Sequence, residues 1–438
     1  MDYSIAGSVL ANDIATCGNS VTTMPVSGAY VVAEHQNGLS AYSSVSDENG
    51  NFSIPVPLGD YNLQVIHPLP YWESCEDTLQ ISFTNESTIM LNSIELNKSI
   101  DCIDLEIDIT TPRLRRCFNE NYYFVSVCNQ GNALATAVEM EMILDPYLSY
   151  LSSSLPISGQ ADNILYFNLN DLAPNECIQF GIEVNVSCTA PLGYSHCTEA
   201  VVTPNEDCFP AAPNWDGSSV SVIGACETDT IRFDVTNAGT GDMTEPRGYI
   251  IWQNASEYET GQVQLIAGQT QSLSLPADGS TWRIEVNQSV GHPGQSYPSS
   301  SVESCTPDSN PSTGFINQFP LDDLANFIDI DCVSNIGAFD PNDKQATPEG
   351  YGDQHYIRPN TRLDYLVRFQ NTGTDTAFNI IVRDTLSEYL RPASLRMLQS
   401  SHPYTYDIQE GNILIVTYEN ILLPDSNVNE PASNGFFK

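Results

Sequence analysis

Apolar and polar residues alternate in short runs along most of this chain, and clusters of Gly, Asn, Asp and Pro separate the runs. In YLVRF, Tyr365, Val367 and Phe369 fall on one side and Leu366 and Arg368 on the other. An alternation of this kind belongs to a strand with one face on a core. The sustained i, i+3, i+4 spacing of a long amphipathic helix is absent from the pattern. In the first hundred or so residues, GSVLAN (7–12), GAYVVAEH (28–35), GNFSIPVPLGDYNLQVI (50–66) and STIMLNSIEL (87–96) read as strands. DENGN (47–51) reads as a turn in which Gly50 supplies a positive φ.

The alternating pattern repeats. YFVSVCNQGNALATAVEM (123–140) aligns without a gap on YLVRFQNTGTDTAFNIIV (365–382), matching Asn129 with Asn371 and Gly131 with Gly373, and IRFDVTNAGTGDM (231–243) places Asn237 and Gly239 in the same roles. Each copy predicts a strand closed by an Asn-x-Gly turn, with Asn and Gly chosen for their tolerance of the left-handed conformation. The expected fold class is all-β, a string of four β-sandwich modules stapled by disulfides. Boundaries are set by polar, proline-containing stretches: a first sandwich over 1–100, a second over 101–213, a third over 214–335 with a polar connector at 306–335, and a fourth over 336–438.

Composition narrows the function classes. The 438 residues carry 15 Lys plus Arg against 55 Asp plus Glu, a formal charge of −40, which disfavours nucleic acid and anionic lipid and makes cations the natural ionic partners. Charged residues are only 16% of the chain against 41% apolar, so this is a folding chain and not an acidic disordered one. Its 12 cysteines include no CxxC pair, which argues for disulfides and an oxidising, extracellular compartment. Cys17 with Cys75 and Cys226 with Cys305 are the expected pairs; the stretch from Cys102 to Cys208 holds an odd number, so Cys332 or another chain must supply a partner. No apolar run is long enough to span a membrane.

The first module resembles the prealbumin-like regulatory module found beside carboxypeptidases and in many bacterial surface proteins. The likeness rests on Ile5 to Val9, VSGAYVV (26–32), SDENGNFSIPVPLGDYNLQV (46–65) and the corner Gly59-Asp60-Tyr61. It implies a spacer or scaffold. The Asn-x-Gly copies resemble the conserved-repeat, immunoglobulin-like modules of large secreted bacterial proteins. The last module is similar to one such family of unknown function through FDPNDK (339–344), LDYLVRFQNTGTDTAFNIIVRDTLS (363–387), SSHPY (400–404) and NILLPDSNVNEPASNGF (420–436). That resemblance implies a place near the carboxyl end of a very large surface protein exported by the type IX route. The sequence stops at GFFK (435–438), where the family continues its closing strand, so that strand is expected to be truncated and completed from outside.

Candidate chemistry is sparse. Asp340, Asn342 and Asp343, with Asp329 and Asp331 a little upstream, are hard oxygen ligands of the kind calcium collects, spaced much as in the DxNDN linkers of cadherins, while Asp-Pro-Asn-Asp is also good turn chemistry in its own right. Calcium is the one candidate cofactor. Trp72 and Trp252 are candidates for a sugar-stacking face, against the commoner use of such rings in sandwich cores. The histidines are scattered, with no HExxH and no GxSxG elbow, and His402 beside Ser400 and Ser401 has no acid partner in sequence. No catalytic residue is expected. The reading is a non-catalytic structural section of a secreted bacterial surface protein, a stalk or a subunit of an adhesive or fibrous appendage. Its expected partners are neighbouring modules, further copies joined by strand completion, or a cell-surface or glycan ligand. The alternative is a carbohydrate-binding accessory region of a secreted hydrolase.

Overall fold

The structure, a computed structural model, describes residues 4–12, 23–38, 40–47, 49–66, 71–76, 78–83, 88–117, 121–205, 212–227, 229–294, 298–306, 312–320, 325–336 and 342–438. The regular elements among them are β-strands and short 3₁₀ turns, so the protein is all-β. The chain divides into two compact units. One comprises Met1–Cys102, Gly131–Ala133 and Gln370–Gly435; the other comprises Ile103–Gln130, Leu134–Phe369 and Phe436–Lys438.

In the first unit, strand Ser4–Asn12 runs antiparallel to Asn51–Pro55 and parallel to Thr88–Lys98. A second sheet orders Ala41–Val45, Tyr30–His35, Gly59–Ile66 and Leu79–Phe83. The apolar positions of both meet in a core of Ile5, Val9, Ile54, Tyr61 and Leu63. Gly50 has φ +76°, and a Cβ there would meet the Val9 carbonyl oxygen at 2.5 Å, so the turn needs glycine for conformation and for space. Tyr61 donates its hydroxyl to Pro57 O at 2.9 Å, which pins the corner. The same unit contains the sheet Ile380–Thr385, Ile413–Tyr418 and Thr405–Gln409. Ser43 Oγ donates to Ile408 O at 3.2 Å and Ser44 Oγ to Asp407 Oδ1 at 3.3 Å, bringing strand Ala41–Val45 beside Thr405–Gln409.

The second unit holds two sandwiches. In the first, a sheet ordered Leu105–Thr110, Asn121–Asn129, Cys177–Val186 and Leu148–Ser153 faces one ordered Leu114–Arg115, Ile328–Ile336, Ser195–Thr203, Ala135–Ile143, Ile164–Leu172 and Gly159–Ala161. Between them lies a core including Tyr123, Val125, Met140, Phe167 and Ile182. The second sandwich packs Val220–Cys226, Thr230–Asn237 and Thr270–Pro276 over Ser256–Val263, Arg247–Gln253, Trp282–Val286 and Ser299–Val302, around the fully buried Trp282.

One sequence expectation changes here and one open question closes. The sequence places 306–335 in a connector of the third module, whereas strand Ile328–Ile336 pairs antiparallel with Ser195–Thr203 and completes the preceding sandwich. The Cys332 partner follows at once, because Cys332 stands directly opposite Cys197 in that register and is bonded to it. Asn434–Phe437 forms a strand beside Asp364–Gln370, and Phe436 packs edge-on against Phe124 at 5.0 Å.

The Asn-x-Gly repeats work differently from a left-handed turn, since neither Asn nor Gly has a positive φ in any of the three copies. The asparagine is instead a bracket. Its Nδ2 donates to a leucine carbonyl in each copy: Asn129 to Leu172 O at 3.0 Å, Asn237 to Leu265 O at 3.2 Å, and Asn371 to Leu423 O at 2.9 Å. In two copies Oδ1 also accepts the N–H of the glycine two residues on, Gly239 and Gly373, each at 3.1 Å. Gly239 is required for closeness, because a Cβ there would overlap the backbone of residues 217–219.

Candidate functional site: a buried carboxylate and lysine cluster

Asp329 and Asp331 share one side of strand Ile328–Ile336, as residues two apart in a strand must. They use that spacing on the outer edge of the buried strand Leu105–Thr110. Ile107 N–H donates to Asn326 O at 2.8 Å, Ile109 N–H to Asp329 Oδ2 at 2.7 Å, and Thr111 N–H to Asp331 Oδ2 at 2.6 Å. Two carboxylates thus continue a backbone ladder across the corner between the two sheets, satisfying edge donors that would otherwise be buried and unpaired.

These acids are part of a larger group. Lys438 Nζ lies 2.7 Å from Asp108 Oδ1, 3.7 Å from Asp329 Oδ2 and 3.9 Å from Asp364 Oδ2. Arg362 Nε donates to Asp364 Oδ1 at 3.0 Å. The lysine side chain is 9% exposed and that of Asp108 3%. Burial is the first cause of the shifts in the acids: it pushes the Asp108 carboxyl up to about 6 against the pull of Lys438, pushes Asp331 up to about 7, and raises Asp329. Burial works against the Lys438 charge, but Asp108, Asp329, Asp364 and Asp331 outweigh it and hold the ammonium well above its ordinary value.

Of the five residues predicted as calcium ligands, the four that are described do not form one group. Asp343 pairs across the sheet with Arg368, whose Nε donates to Asp343 Oδ1 at 2.6 Å while Nη2 meets Oδ2 and Nη1 donates to Pro112 O at 2.7 Å. Asn342 is exposed, and Asp340 lies outside the described residues. Asp329 and Asp331 face the lysine cluster. Among the described residues no group of three or more His, Cys, Asp or Glu converges as a metal site would. Around these acids the protein's own Lys438, Arg362 and Arg368 supply counter-charge.

The candidate sugar-binding rings both contact other side chains. Trp72 packs against the core of the first unit. Trp252 lies 5.6 Å from Phe319 and 5.1 Å from Tyr351, and the latter two meet edge-on at 5.4 Å. Cys226 and Cys305 are bonded, with Cα atoms 5.5 Å apart. Cys75 is also disulfide-bonded, while Cys17 lies outside the described residues. Cys128 is bonded to Cys177 directly across neighbouring strands, and Cys117 to Cys188.

One triad-like arrangement escaped the sequence. Buried His196 meets Asp145 Oδ1 through Nδ1 at 2.8 Å and Asn335 Nδ2 through Nε2 at 2.9 Å. Both ring nitrogens are committed, so the imidazole ties strands Ser195–Thr203 and Ile328–Ile336 to the loop that holds Asp145 and has no free nitrogen to offer a substrate. His402 contacts Ser401 Oγ at 2.9 Å and its pKa is lowered by burial, with no carboxylate bonded to it among the described residues.

A family model described as "Domain of unknown function (DUF7619)" matches residues 340–438. No curated protein matches the chain. Among solved structures, the fimbrial protein FimP from Actonomyces oris is similar at 10% identity over 69% of this chain and 94% of that one, with a TM-score of 0.18. The full-length major pilin SpaD from Corynebacterium diphtheriae is similar at 10% identity over 69% and 91%, also with a TM-score of 0.18. The BSP domain of a biofilm associated protein follows at 9% identity over 64% and 73%, with a TM-score of 0.17. Superpositions this loose carry no further structural conclusion.

Proposed function

We propose that this chain is a non-catalytic, load-bearing section of a secreted bacterial cell-surface protein, acting as a stalk or as a subunit of an adhesive or fibrous appendage. The observation that carries the reading is the placement of the staples. Cys128–Cys177 and Cys197–Cys332 each join residues directly opposite one another on adjacent strands, and Cys226–Cys305 ties the end of strand Val220–Cys226 to the segment after Ser299–Val302. A covalent bond between neighbouring strands blocks the sliding and unzipping by which a sheet yields to tension. Disulfides also persist chiefly outside the cytoplasm, in keeping with export. The function thus lies in holding shape between neighbouring modules or subunits. Edge strand Ser256–Val263 is exposed over its first residues and carries Glu257 and Glu259, charges that guard an open edge against indiscriminate pairing.

Single-molecule extension of the full chain tests the reading. Oxidised protein is expected to yield at clearly higher force, and to release less length, than the same protein after gentle reduction. Equal forces before and after reduction would remove the mechanical role of the staples and with it the reading.

A further inference from the structure

Lys438 and Asp108 are placed for a step beyond an ion pair. Asp108 extends from strand Leu105–Thr110, and Lys438 directly follows strand Asn434–Phe437. The Nζ to Oδ1 separation is 2.7 Å, yet Oδ1 is buried and accepts no hydrogen bond of acceptable geometry. Two groups of opposite charge, free to arrange themselves, would form a straight hydrogen bond. Here the amine is held against the carboxyl group off that line, in a site closed to water. Asp108 Oδ2 accepts from Thr110 Oγ1 at 3.2 Å, which holds the plane of the carboxyl group. A second carboxyl, Asp329, stands 3.7 Å from the same nitrogen and is itself fixed by Ile109 N–H.

We propose that Lys438 and Asp108 form an intramolecular amide bond, with Asp329 as the positioning acid that relays the proton. The reaction is a condensation without redox change. The ammonium passes one proton to the Asp108 carboxylate, and the Nζ lone pair of the resulting neutral amine attacks Cγ of the protonated acid. The C–N bond forms, the Asp329 carboxylate takes one proton from the nitrogen and hands it to the departing hydroxyl, the C–OH bond breaks, and one water leaves with no net gain or loss of protons. Burial favours this course because it penalises both charges of the ion pair and so brings the neutral amine and neutral acid within reach. The raised Asp108 and Asp329 carboxyls point the same way, although the field of Asp364 and Asp331, set against Arg362, favours the ammonium. The product would join two residues far apart in sequence with a bond that reductants cannot open, complementing the disulfides.

Intact mass of the full chain, measured denatured after reduction and alkylation, decides the matter. The expected result is a chain lighter by one water molecule, with a branched peptide linking the Asp108 segment to Lys438. Lys438→Arg and Asp108→Ala are expected at the full mass of their sequences. A wild-type chain that keeps its full mass after prolonged incubation overturns the proposal. So does a water loss that persists in Lys438→Arg, since it would then come from elsewhere, such as a cyclised Asn-Gly. Asp329→Asn keeps an acceptor for Ile109 N–H and is expected to fold with unchanged circular dichroism while staying at full mass; formation at the wild-type rate in that variant would remove Asp329 from the step.

Discussion

Asp216 and Asp331 are the same residue in two sandwiches of one unit, and the protein treats their charges in opposite ways. Asp216 accepts from Ser218 N–H at 3.0 Å, Ser218 Oγ at 2.5 Å, and Thr244 N–H and Oγ1 at 2.9 Å each, with Arg247 3.9 Å away. Its carboxyl is held well below the usual range, first by the Ser218 hydroxyl and then by Thr244. Asp331 has a backbone donor in Thr111 N–H and otherwise faces Asp329, Asp108 and the more distant Lys438, and burial pushes it up to about 7. By surface area the Asp216 side chain is nearly covered at 9% exposed, and Asp331 as a residue is only half-buried. Surface area alone therefore does not decide the sign of the shift: loss of water around the carboxyl comes first at Asp331, and the supply of donors comes first at Asp216.

The strongest way to break the contrast is Asp216→Ala. It leaves backbone and hydroxyl donors at the 216–218 turn without their acceptor, and is expected to cost about 2 to 4 kcal/mol in a denaturant titration at neutral pH. Because the folded carboxyl is depressed, its contribution is present above its unfolded pKa and fades as pH falls below about 4. The gap between variant and wild type should therefore narrow in acid. A gap that is constant with pH would mean that the turn geometry, and not the charge, is what Asp216 provides.

Asp331→Asn probes the other side. A carboxyl whose folded pKa is raised contributes stability below its unfolded pKa and loses it as pH rises through about 7. Asn keeps an oxygen for Thr111 N–H and carries no charge. The variant is expected to match wild type near pH 4 and to exceed it near pH 8 by roughly 1 to 3 kcal/mol, a figure reduced from the full linkage value because the residue is half-buried. Should Lys438 be consumed in an amide, its pull on Asp331 disappears and the crossover moves to higher pH. A variant less stable than wild type at pH 8 would show that the Asp331 charge is welcome and that the donor argument fails.

How much of this was legible in the sequence differs between the two sites for a physical reason. The strand at YLVRF, the Gly50 turn and the likeness of the three Asn-x-Gly segments are local and survive in the fold. The predicted faces of YLVRF do not: Arg368, drawn in by Asp343 and Pro112 O, is the buried residue, while Tyr365, Val367 and Phe369 are partly exposed. Asn129, Asn237 and Asn371 were recognisable as a repeated position, but their bonds to Leu172, Leu265 and Leu423 depend on strands brought alongside by folding. The Asp216 turn is local too, and its Asp-Gly-Ser run could have been read as a turn with side-chain acceptors. The Asp331 environment was out of reach. Strand Ile328–Ile336 comes back to its sandwich after a whole second sandwich has intervened, and a pairing over that separation leaves no periodic trace. The same return hid the Cys197–Cys332 bond and made Asp329 and Asp331 look like members of the following linker.

Calcium is the smallest effect expected, and it sharpens the comparison most directly. A calcium ion needs six to eight oxygens that are free to turn toward it. Both oxygens of Asp343 face the Arg368 guanidinium, one oxygen each of Asp329 and Asp331 holds a backbone N–H, and Lys438 Nζ sits among the carboxylates of Asp108, Asp329 and Asp364. Exchanging chelator for excess calcium is therefore expected to move the melting temperature no further than the same concentration of magnesium does, as screening of a strongly acidic chain requires. A rise specific to calcium that disappears in Asp343→Asn would mean that this carboxylate exchanges its arginine for an ion. The linker reading would then return, and an outside cation would join the donors that set the charge of an aspartate in this protein.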